Sequence, residues 1–360
     1  MSVKLSEFTP ARLMSLYKSK TSLLLVGAPG VGKSAIIGTW PSVLSKMTGE
    51  DFGWHMITPS NRESAEMKGF MIPSKNAKGK PVSQYTYPAI FPTEEYLEEH
   101  PFGVLNIEEA DQCEQDQARV LASVFYERRL DDVYLPDGWW VVASTNAAKH
   151  KSGVGRPMKH VINRQRRIEV ANDVEGLCRW MSTRDVHPMF IAFTRARPSV
   201  VFTDEVPVEA IPFCTPRSLM SAATYMKEVV GSSMEFRVGD FEQEMVAGDI
   251  GMSAAAELFG FAAVHTQIPT MEEIEQSPVK AKVPELGRLD GVYAVTEMII
   301  AYANRKNIEA IMEYVERLPR QFVLATVRRI VDKHPMVVAD SPRLRAWLAK
   351  NKDLVGSSMA

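Results

Sequence analysis

The sequence contains few cysteines and no long apolar run. Its three cysteines lie far apart, with neither the pairing of a disulfide framework nor the spacing of a metal site, which is typical of a reducing compartment. No window approaches about 18 apolar residues, the length that a membrane-spanning helix needs. The N-terminal stretch MSVKLSEFTPARLM has no apolar core of signal-peptide length. We therefore expect a cytoplasmic protein that does not contact the membrane.

An excess of charge of one sign is also absent. The 42 lysines and arginines nearly balance the 44 aspartates and glutamates, so the formal net charge is −2. Such a balance gives no overall sign of binding to nucleic acid or to an anionic membrane. With 360 residues, of which 45% are hydrophobic, the chain is long enough to bury more than one core.

Short apolar runs alternate with helical patterns in the first half of the chain. The spacing between the runs leaves room for crossover helices, so the pattern predicts the α/β class, with a mostly parallel sheet covered by helices. The predicted strands are TSLLLVG at 21–27, WHMIT at 54–58, FGVLNI at 102–107, WWVVAST at 139–145 and RRIEV at 166–170.

Helical patterns dominate the second half of the chain. Thr215 and Pro216 are typical of a helix start, as N-cap and first helical residue. The segment QIPTMEEIEQSPVKAKVPELG, at 267–287, contains three prolines and mixed charge, which indicates a linker between modules. Beyond this segment, the periodicity predicts amphipathic helices up to the stretch SPRLRAWLAK.

The strongest chemical signal is GAPGVGKS at 27–34, which follows a predicted strand and precedes a helical pattern. It matches the phosphate-binding P-loop in full. Glycines let backbone N–H groups converge on phosphate oxygens, Lys33 reaches the β and γ phosphates, and the Ser34 hydroxyl ligates Mg²⁺. A chance glycine-rich turn is the alternative. The predicted nucleotide-binding residues are Gly27, Ala28, Pro29, Gly30, Val31, Gly32, Lys33, Ser34 and Ala35.

Two adjacent carboxylates follow the predicted strand FGVLNI, which also contains Asn106. A carboxylate at a strand tip can hold Mg²⁺, and its neighbour can orient or deprotonate an attacking water. We assign the metal role to Glu108 and the water role to Glu109. The alternative is a solvated strand-to-helix turn, in which these residues and Asp111 only supply negative charge to a helix N-terminus.

Two further polar residues fit the same site. Asn146 ends the predicted strand WWVVAST, where its amide would lie beside the γ-phosphate and help to hold the water. A turn-forming asparagine after a strand is the alternative. Arg217 lies in the first turn of the helix that Thr215 opens, from which it could reach a nucleotide cleft. An isolated arginine at such a place is more often a surface residue.

The order of these motifs resembles the AAA+ ATPases, and specifically the short MoxR-type versions found in phage and bacterial gene cassettes. The resemblance is carried by GAPGVGKS, VLNIEEAD, VVASTN, the NR pair at 163–164 and TPRS, over roughly residues 10–230. It implies that Asn146 is sensor 1, Arg217 is sensor 2, and Arg164 is an arginine finger given to the nucleotide of the neighbouring subunit. It also implies an α/β nucleotide domain at 1–175, a helical lid at 176–268 and a helical C-terminal extension at 269–360.

The sequence departs from this family in two places. The first acid after the strand is Glu108 rather than an aspartate, and Arg164 is followed by QRR, where the family more often has an aromatic residue. The finger assignment is therefore open between Arg164, Arg166 and Arg167, with Arg156 as a possible auxiliary cation.

Independently of the resemblance, the stretch between Ala147 and Ile168 holds seven Lys or Arg, two His and no acid. The neighbour's triphosphate, nucleic-acid phosphate and solvent are the candidate surroundings of this basic block.

A segment resembling the hairpin that the family inserts in helix 2 lies at 66–91. Its aromatic residues alternate with lysines around the turn NAKGK. They could grip a polypeptide in the pore of a ring, or pack the hairpin onto its own domain. The aromatic residues are Phe70, Tyr85, Tyr87 and Phe91. A second hairpin, ERRLDDVYLPDGWW, is expected before sensor 1.

Together, the sequence leads us to expect an ATPase that hydrolyses ATP to ADP and phosphate with Mg²⁺. By the resemblance, the active form would be a ring, hexameric in the first instance, that remodels or matures a protein partner, such as a von Willebrand factor A domain protein. The alternatives are a DNA-directed motor or loader of phage or plasmid replication, and a slow-hydrolysing nucleotide-binding scaffold. A P-loop GTPase is disfavoured, because the sequence has no Asn-Lys-x-Asp motif.

Overall fold

The computed structural model describes residues 2–110, 112–130, 132–147, 165–184, 186–203, 206–207, 209–231, 236, 238–264, 268–285 and 289–351. By its internal contacts the chain divides into two compact units. The first comprises residues 1–173 and 204–208, and the second comprises residues 174–203 and 209–360. Among the described residues, no helix combines the length and the apolar character needed to cross a membrane.

The first unit is built on a parallel sheet. Its strands are β1 (Ser2–Lys4), β2 (Leu23–Gly27), β3 (Phe52–Ile57), β4 (Met71–Lys75), β5 (Pro81–Tyr85), β6 (Phe102–Ile107), β7 (Arg129–Leu130), β8 (Val133–Tyr134), β9 (Gly138–Asn146) and β10 (Arg166–Ala171). In the described residues, six of them form one sheet in the order β1-β10-β2-β9-β6-β3, and every pair in it is parallel. Two antiparallel hairpins, β4–β5 and β7–β8, lie apart from it.

Helices cover both faces of this sheet. They are α1 (Pro10–Ser19), α2 (Lys33–Ile37), α3 (Trp40–Thr48), α4 (Ser64–Lys68), α5 (Glu94–Glu99) and α6 (Gln115–Glu127). Successive side chains of β6 and β9 alternate between two apolar clusters, one including α1 and α3 and the other including α6. On the first face, the rings of Trp40 and Trp140 stack with centroids 5.5 Å apart. The predicted α/β class, with a parallel P-loop sheet and flanking helices, is confirmed.

The second unit is helical throughout its described residues. Its helices are α7 (Val174–Ser182), α8 (Pro188–Ala196), α9 (Pro198–Val201), α10 (Pro216–Val230), α11 (Asp240–Ile250), α12 (Met252–Val264), α13 (Met271–Gln276), α14 (Leu289–Tyr302), α15 (Ile308–Val315), α16 (Arg320–Lys333), α17 (Val337–Asp340) and α18 (Pro342–Lys350). The predicted lid and the predicted extension both lie in this unit, where α14 packs on α8. The boundary between them near residue 268 stays a prediction.

The segment at 267–287 is not the linker that its prolines suggested. It contains α13, which starts at a capping box between Thr270 and Glu273. Ile274 is fully buried in the apolar cluster of α14, α15 and α16, and Ala281 lies in the same cluster. The segment therefore packs as part of the core of the second unit.

A buried carboxylate joins three helices of the second unit. Glu297 of α14 is 2% exposed and accepts hydrogen bonds from Arg195 Nε of α8 at 2.8 Å and from Arg329 Nη2 of α16 at 2.7 Å. Arg195 also contacts Glu175 of α7. Burial, the largest single influence, lowers the pKa of Arg195, but Glu297 together with Cys178 and Glu175 outweighs it and holds the pKa above its ordinary value. The three helices are thus tied by charges that have little access to water.

Removing this carboxylate is expected to destabilise the fold. Glu297→Gln removes the buried counter-charge shared by Arg195 and Arg329 and leaves Arg195 only its exposed partner Glu175, so the free energy of unfolding should fall by about 3–5 kcal/mol in urea denaturation. The matched control is Glu316→Gln, which breaks a half-exposed pair with Arg343 and should cost less than about 1 kcal/mol. Equal, small losses in both variants would contradict the structural role of Glu297.

Candidate nucleotide-binding site

The P-loop connects β2 to α2 at the carboxyl-terminal edge of the parallel sheet. Gly30 and Gly32 have φ angles of 73° and 97°, in the left-handed region that glycine adopts without strain. Gly32 is the N-cap of α2, which starts at Lys33 and ends after a single turn at Ile37. The loop thus turns its backbone around the start of a helix, the arrangement in which N–H groups converge on an anion.

Lys33 carries the positive charge at the centre of this loop. The side chain is 7% exposed, and Nζ donates to the carbonyl oxygens of Gly27 at 3.2 Å and Ala28 at 2.9 Å. It also donates to Oδ1 of Asn146 at 3.3 Å. The ammonium group therefore lies among oxygen acceptors, the atom type that a phosphate would present to it.

Asn146 reaches the loop because of strand register. β2 and β9 run parallel with Gly27 opposite Asn146, and the N–H of Ala147 donates to the Gly27 carbonyl at 3.1 Å. The last residue of β9 consequently lies beside the first residue of the P-loop. The structure brings these two predicted site residues, Asn146 and Lys33, into direct contact.

The two acids follow β6 at the same edge of the sheet. The N–H of Glu108 still donates to Ile57 of β3 at 2.9 Å, so this residue continues the strand pairing. Glu109 leaves the strand with φ of 52°, a left-handed conformation that costs a non-glycine residue roughly 1–2 kcal/mol. Both side chains are half-buried. Backbone strain of this kind is often found at functional sites, where it fixes the direction of a side chain.

One residue of this region was not assigned to the site from the sequence. Asn106 is fully buried in β6, and its Nδ2 donates to Oε1 of Glu108 at 3.1 Å. Residues 106 and 108 share one face of the strand, because side chains alternate with a period of two. The available signal was a polar residue within the otherwise apolar run FGVLNI.

The donor set fits a magnesium ion bound together with a nucleotide. Among the described residues, no group of three or more His, Cys, Asp or Glu side chains is placed to hold a metal by itself. Mg²⁺ does not need such a cage, since it binds through one or two carboxylates, waters and the phosphates of the substrate. Ser34 at the start of α2 and Glu108 at the end of β6 supply a hydroxyl and a carboxylate of the suitable kind.

Only some of the arginines proposed as fingers lie in the part of the chain that the structure describes. Arg164 and Arg156 lie outside the described residues, and so does most of the basic block. Arg166 and Arg167 begin β10, at the opposite edge of the sheet from the P-loop, where they contact Ser19 and Glu169. Their placement puts them away from the P-loop of their own subunit.

Arg217 is the second residue of α10 in the second unit. It is exposed to solvent and lies within the capping box formed by Thr215 and Ser218. The predicted helix start is thus confirmed. The role of Arg217 as a sensor of the nucleotide stays a prediction.

The hairpin aromatics fall into two groups. Tyr87 and Phe91, beyond the hairpin strands, pack into the apolar cluster under the sheet, as the structural interpretation expected. Phe70 and Tyr85 are 60% and 44% exposed at the base of β4–β5. Three aliphatic side chains of the two strands are exposed with them: Met71, Ile72 and Val82. The hairpin therefore offers apolar side chains that its own domain does not cover.

Two of the three cysteines do not offer nucleophiles. Cys178 and Cys214 are buried, and burial raises the pKa of each thiol to about 12. Neither therefore carries a reactive thiolate near neutral pH.

Comparisons with known proteins add little to this geometry. No protein-family model matches the chain, and no curated protein matches its sequence. A solved structure of NtrX from Brucella abortus in complex with ADP has a TM-score of 0.40 at 12% identity, covering 98% of this chain and 69% of that one. A RuvB mutant from Thermotoga maritima has a TM-score of 0.37 at 14% identity, covering 77% and 79%. TM-scores this low do not support a conclusion about this chain.

The site makes a direct prediction about Lys33. Lys33→Ala removes the buried ammonium group, so affinity for a fluorescent ATP analogue should fall by roughly tenfold to a hundredfold, the value of a charged hydrogen bond. Lys46→Ala, an exposed lysine of α3, is the control and should bind as the wild type does. Undiminished affinity in Lys33→Ala would remove the P-loop assignment.

Proposed function

We propose that this chain is an AAA+ ATPase of the MoxR type, which binds ATP with Mg²⁺ and hydrolyses it to ADP and phosphate. The observation that carries the proposal is the contact of Lys33 with Asn146, beside the two acids that follow β6. A P-loop by itself is shared by kinases, switches and motors. A polar strand tip and paired carboxylates at the same sheet edge are what hydrolysis needs in addition.

Each residue has a separate task in the proposed reaction. The loop 27–34 holds the phosphates with its N–H groups, and Lys33 moves from its loop carbonyls to the phosphate oxygens. Ser34 and Glu108 would hold Mg²⁺, which would supply positive charge to neutralise the phosphates. Glu109 accepts a proton from the attacking water or orients it, and Asn146 holds that water beside the γ-phosphorus. The water oxygen bonds to the γ-phosphorus as the bond between the γ-phosphorus and the β–γ bridging oxygen breaks, which gives ADP and phosphate.

The proposed active form is a homo-oligomeric ring of six subunits. The arginine finger supports this form, because it would be supplied to the nucleotide of the neighbouring subunit and can raise the rate by about 10³–10⁵. Arg164 is the first candidate, with Arg166 and Arg167 as alternatives. The position of Arg166 and Arg167 at the far edge of their own sheet supports action on a neighbour rather than on the same subunit.

The proposed work of the ring is remodelling or maturation of a protein partner, a von Willebrand factor A domain protein being the candidate that the resemblance implies. The exposed apolar side chains of the β4–β5 hairpin support a protein contact. A DNA-directed motor is the second candidate, which the acid-free block at 147–168 favours. Stimulation of ATP hydrolysis by DNA, together with binding that weakens steeply with salt, would identify the second candidate.

The proposed function is tested by Glu109→Gln. This variant keeps the phosphate-binding loop and loses the carboxylate that activates water, so kcat should fall by roughly 10²–10⁴-fold while ATP affinity is unchanged. Because ATP then persists, mass photometry should detect an accumulated ring. Glu95→Gln, an exposed acid on α5, is the control. Wild-type turnover in Glu109→Gln would count against the assigned role of this carboxylate.

A further inference from the structure

Asn106 lies where the fold by itself would favour an apolar residue. It is 0% exposed in the sheet, between Met56 of β3 and Val142 of β9. The same face of the sheet carries the apolar side chains of Val104 on β6, Val142 on β9 and Leu25 on β2. Burying an amide in such a layer is unfavourable unless its hydrogen bonds are made, whereas a leucine, which has the same branched arrangement of side-chain heavy atoms, has no such requirement.

The hydrogen bonds of this amide are only partly made. Nδ2 donates to Oε1 of Glu108 at 3.1 Å, but Oδ1 is buried and has no hydrogen-bond partner among the described residues. The orientation follows from chemistry, since only the NH₂ end of the amide can donate to a carboxylate. The fold therefore tolerates a buried acceptor that it does not satisfy, and the hydrogen bond that the side chain makes within the described part of the chain is to Glu108.

Asn106 contacts Glu108, the glutamate that stands where the resembled family has an aspartate. Glu108 has one methylene more than an aspartate, so its carboxylate has an additional rotatable bond to be fixed. The hydrogen bond from Asn106 holds Oε1 on the sheet face whose apolar cluster includes Ile37 of α2, the helix that follows the P-loop. Because a carboxylate has about four lone-pair sites, Oε2 remains able to bind a cation while Oε1 is held.

We propose that Asn106 is a positioning residue for Glu108: its Nδ2 holds the longer carboxylate so that the other oxygen faces Mg²⁺ of the bound nucleotide. The inference rests on the proposed function, and it makes Asn106 and Glu108 one functional pair. The glutamate in place of an aspartate and the asparagine in an apolar strand then have a single explanation. A purely structural role for Asn106 would instead appear in the stability of the protein.

The test compares Asn106→Leu with Val142→Ala, which removes packing from the same layer without contacting Glu108. The affinity for a fluorescent ATP analogue is measured in EDTA and over a Mg²⁺ titration, and Tm is measured for each variant. In Asn106→Leu, the Mg²⁺ concentration at half-maximal effect should rise roughly tenfold or more, the value of a hydrogen bond to a charged group. Affinity in EDTA should stay within about twofold of wild type, and Tm should not fall. Asn106→Val provides the same test with a smaller side chain.

The pairing is tested by a double variant. An aspartate at 108 is too short to use the amide in the same way, so adding Asn106→Leu to Glu108→Asp should change the Mg²⁺ dependence by less than about twofold. Additive effects would show that Asn106 acts independently of Glu108 and would overturn the proposal.

The outcomes separate this inference from the proposed function. If Lys33→Ala loses nucleotide affinity but Asn106→Leu keeps the wild-type Mg²⁺ dependence, the positioning role is wrong and the ATPase proposal stands. A fall in Tm as large as that of Val142→Ala, without a change in Mg²⁺ dependence, would assign Asn106 a structural role. If wild-type protein binds no ATP analogue, with or without Mg²⁺, both proposals fail.

Discussion

The site depends on the parallel register of β2 and β9. This register places Gly27 opposite Asn146 and so brings the P-loop lysine within 3.3 Å of the amide of a residue more than a hundred positions away. The pairing of β6 with β9 then puts Glu108 and Glu109 at the same edge. In a parallel sheet the carboxyl ends of all strands lie at one edge. Polar residues that each follow a strand therefore lie close together at that edge. A slip of one residue would turn each side chain to the other face.

Two local features at this edge of the sheet are energetically unfavourable. Glu109 adopts a left-handed conformation, and Asn106 buries an amide oxygen with no partner among the described residues. Each feature is unfavourable by itself, and the apolar layers on both faces of the sheet supply the stability that tolerates them. The second unit shows a different use of buried polarity. There, Glu297 is paired on both sides by arginines and holds helices together. Asn106, whose amide oxygen has no partner among the described residues, lies at the candidate site, whereas Glu297, whose two oxygens both accept hydrogen bonds, belongs to the helical scaffold.

Much of the architecture could be predicted from the sequence, because strands buried on both faces are continuous apolar runs. The run WWVVAST lies within β9, and the helix opened by Thr215 starts where its capping box indicates. The linker at 267–287 was wrong because its prolines were weighed above the capping box T-M-E-E, which starts α13. The helical pattern after the P-loop does not continue as one helix, since the chain turns at Gly38 before α3. The bond between Asn106 and Glu108 depends on which face each side chain takes, which composition and motifs do not specify.

The central claim is that one nucleotide site is formed by the P-loop, Asn146 and the two acids after β6. The most direct test is a crystal structure with a non-hydrolysable ATP analogue and Mg²⁺. The account predicts the γ-phosphate within hydrogen-bond distance of Lys33 Nζ, and Mg²⁺ contacting Ser34 directly and Glu108 directly or through one water. Glu109 and Asn146 should then lie beside the γ-phosphate. Phosphates bound away from residues 27–34, or Glu108 turned away from the metal, would contradict it.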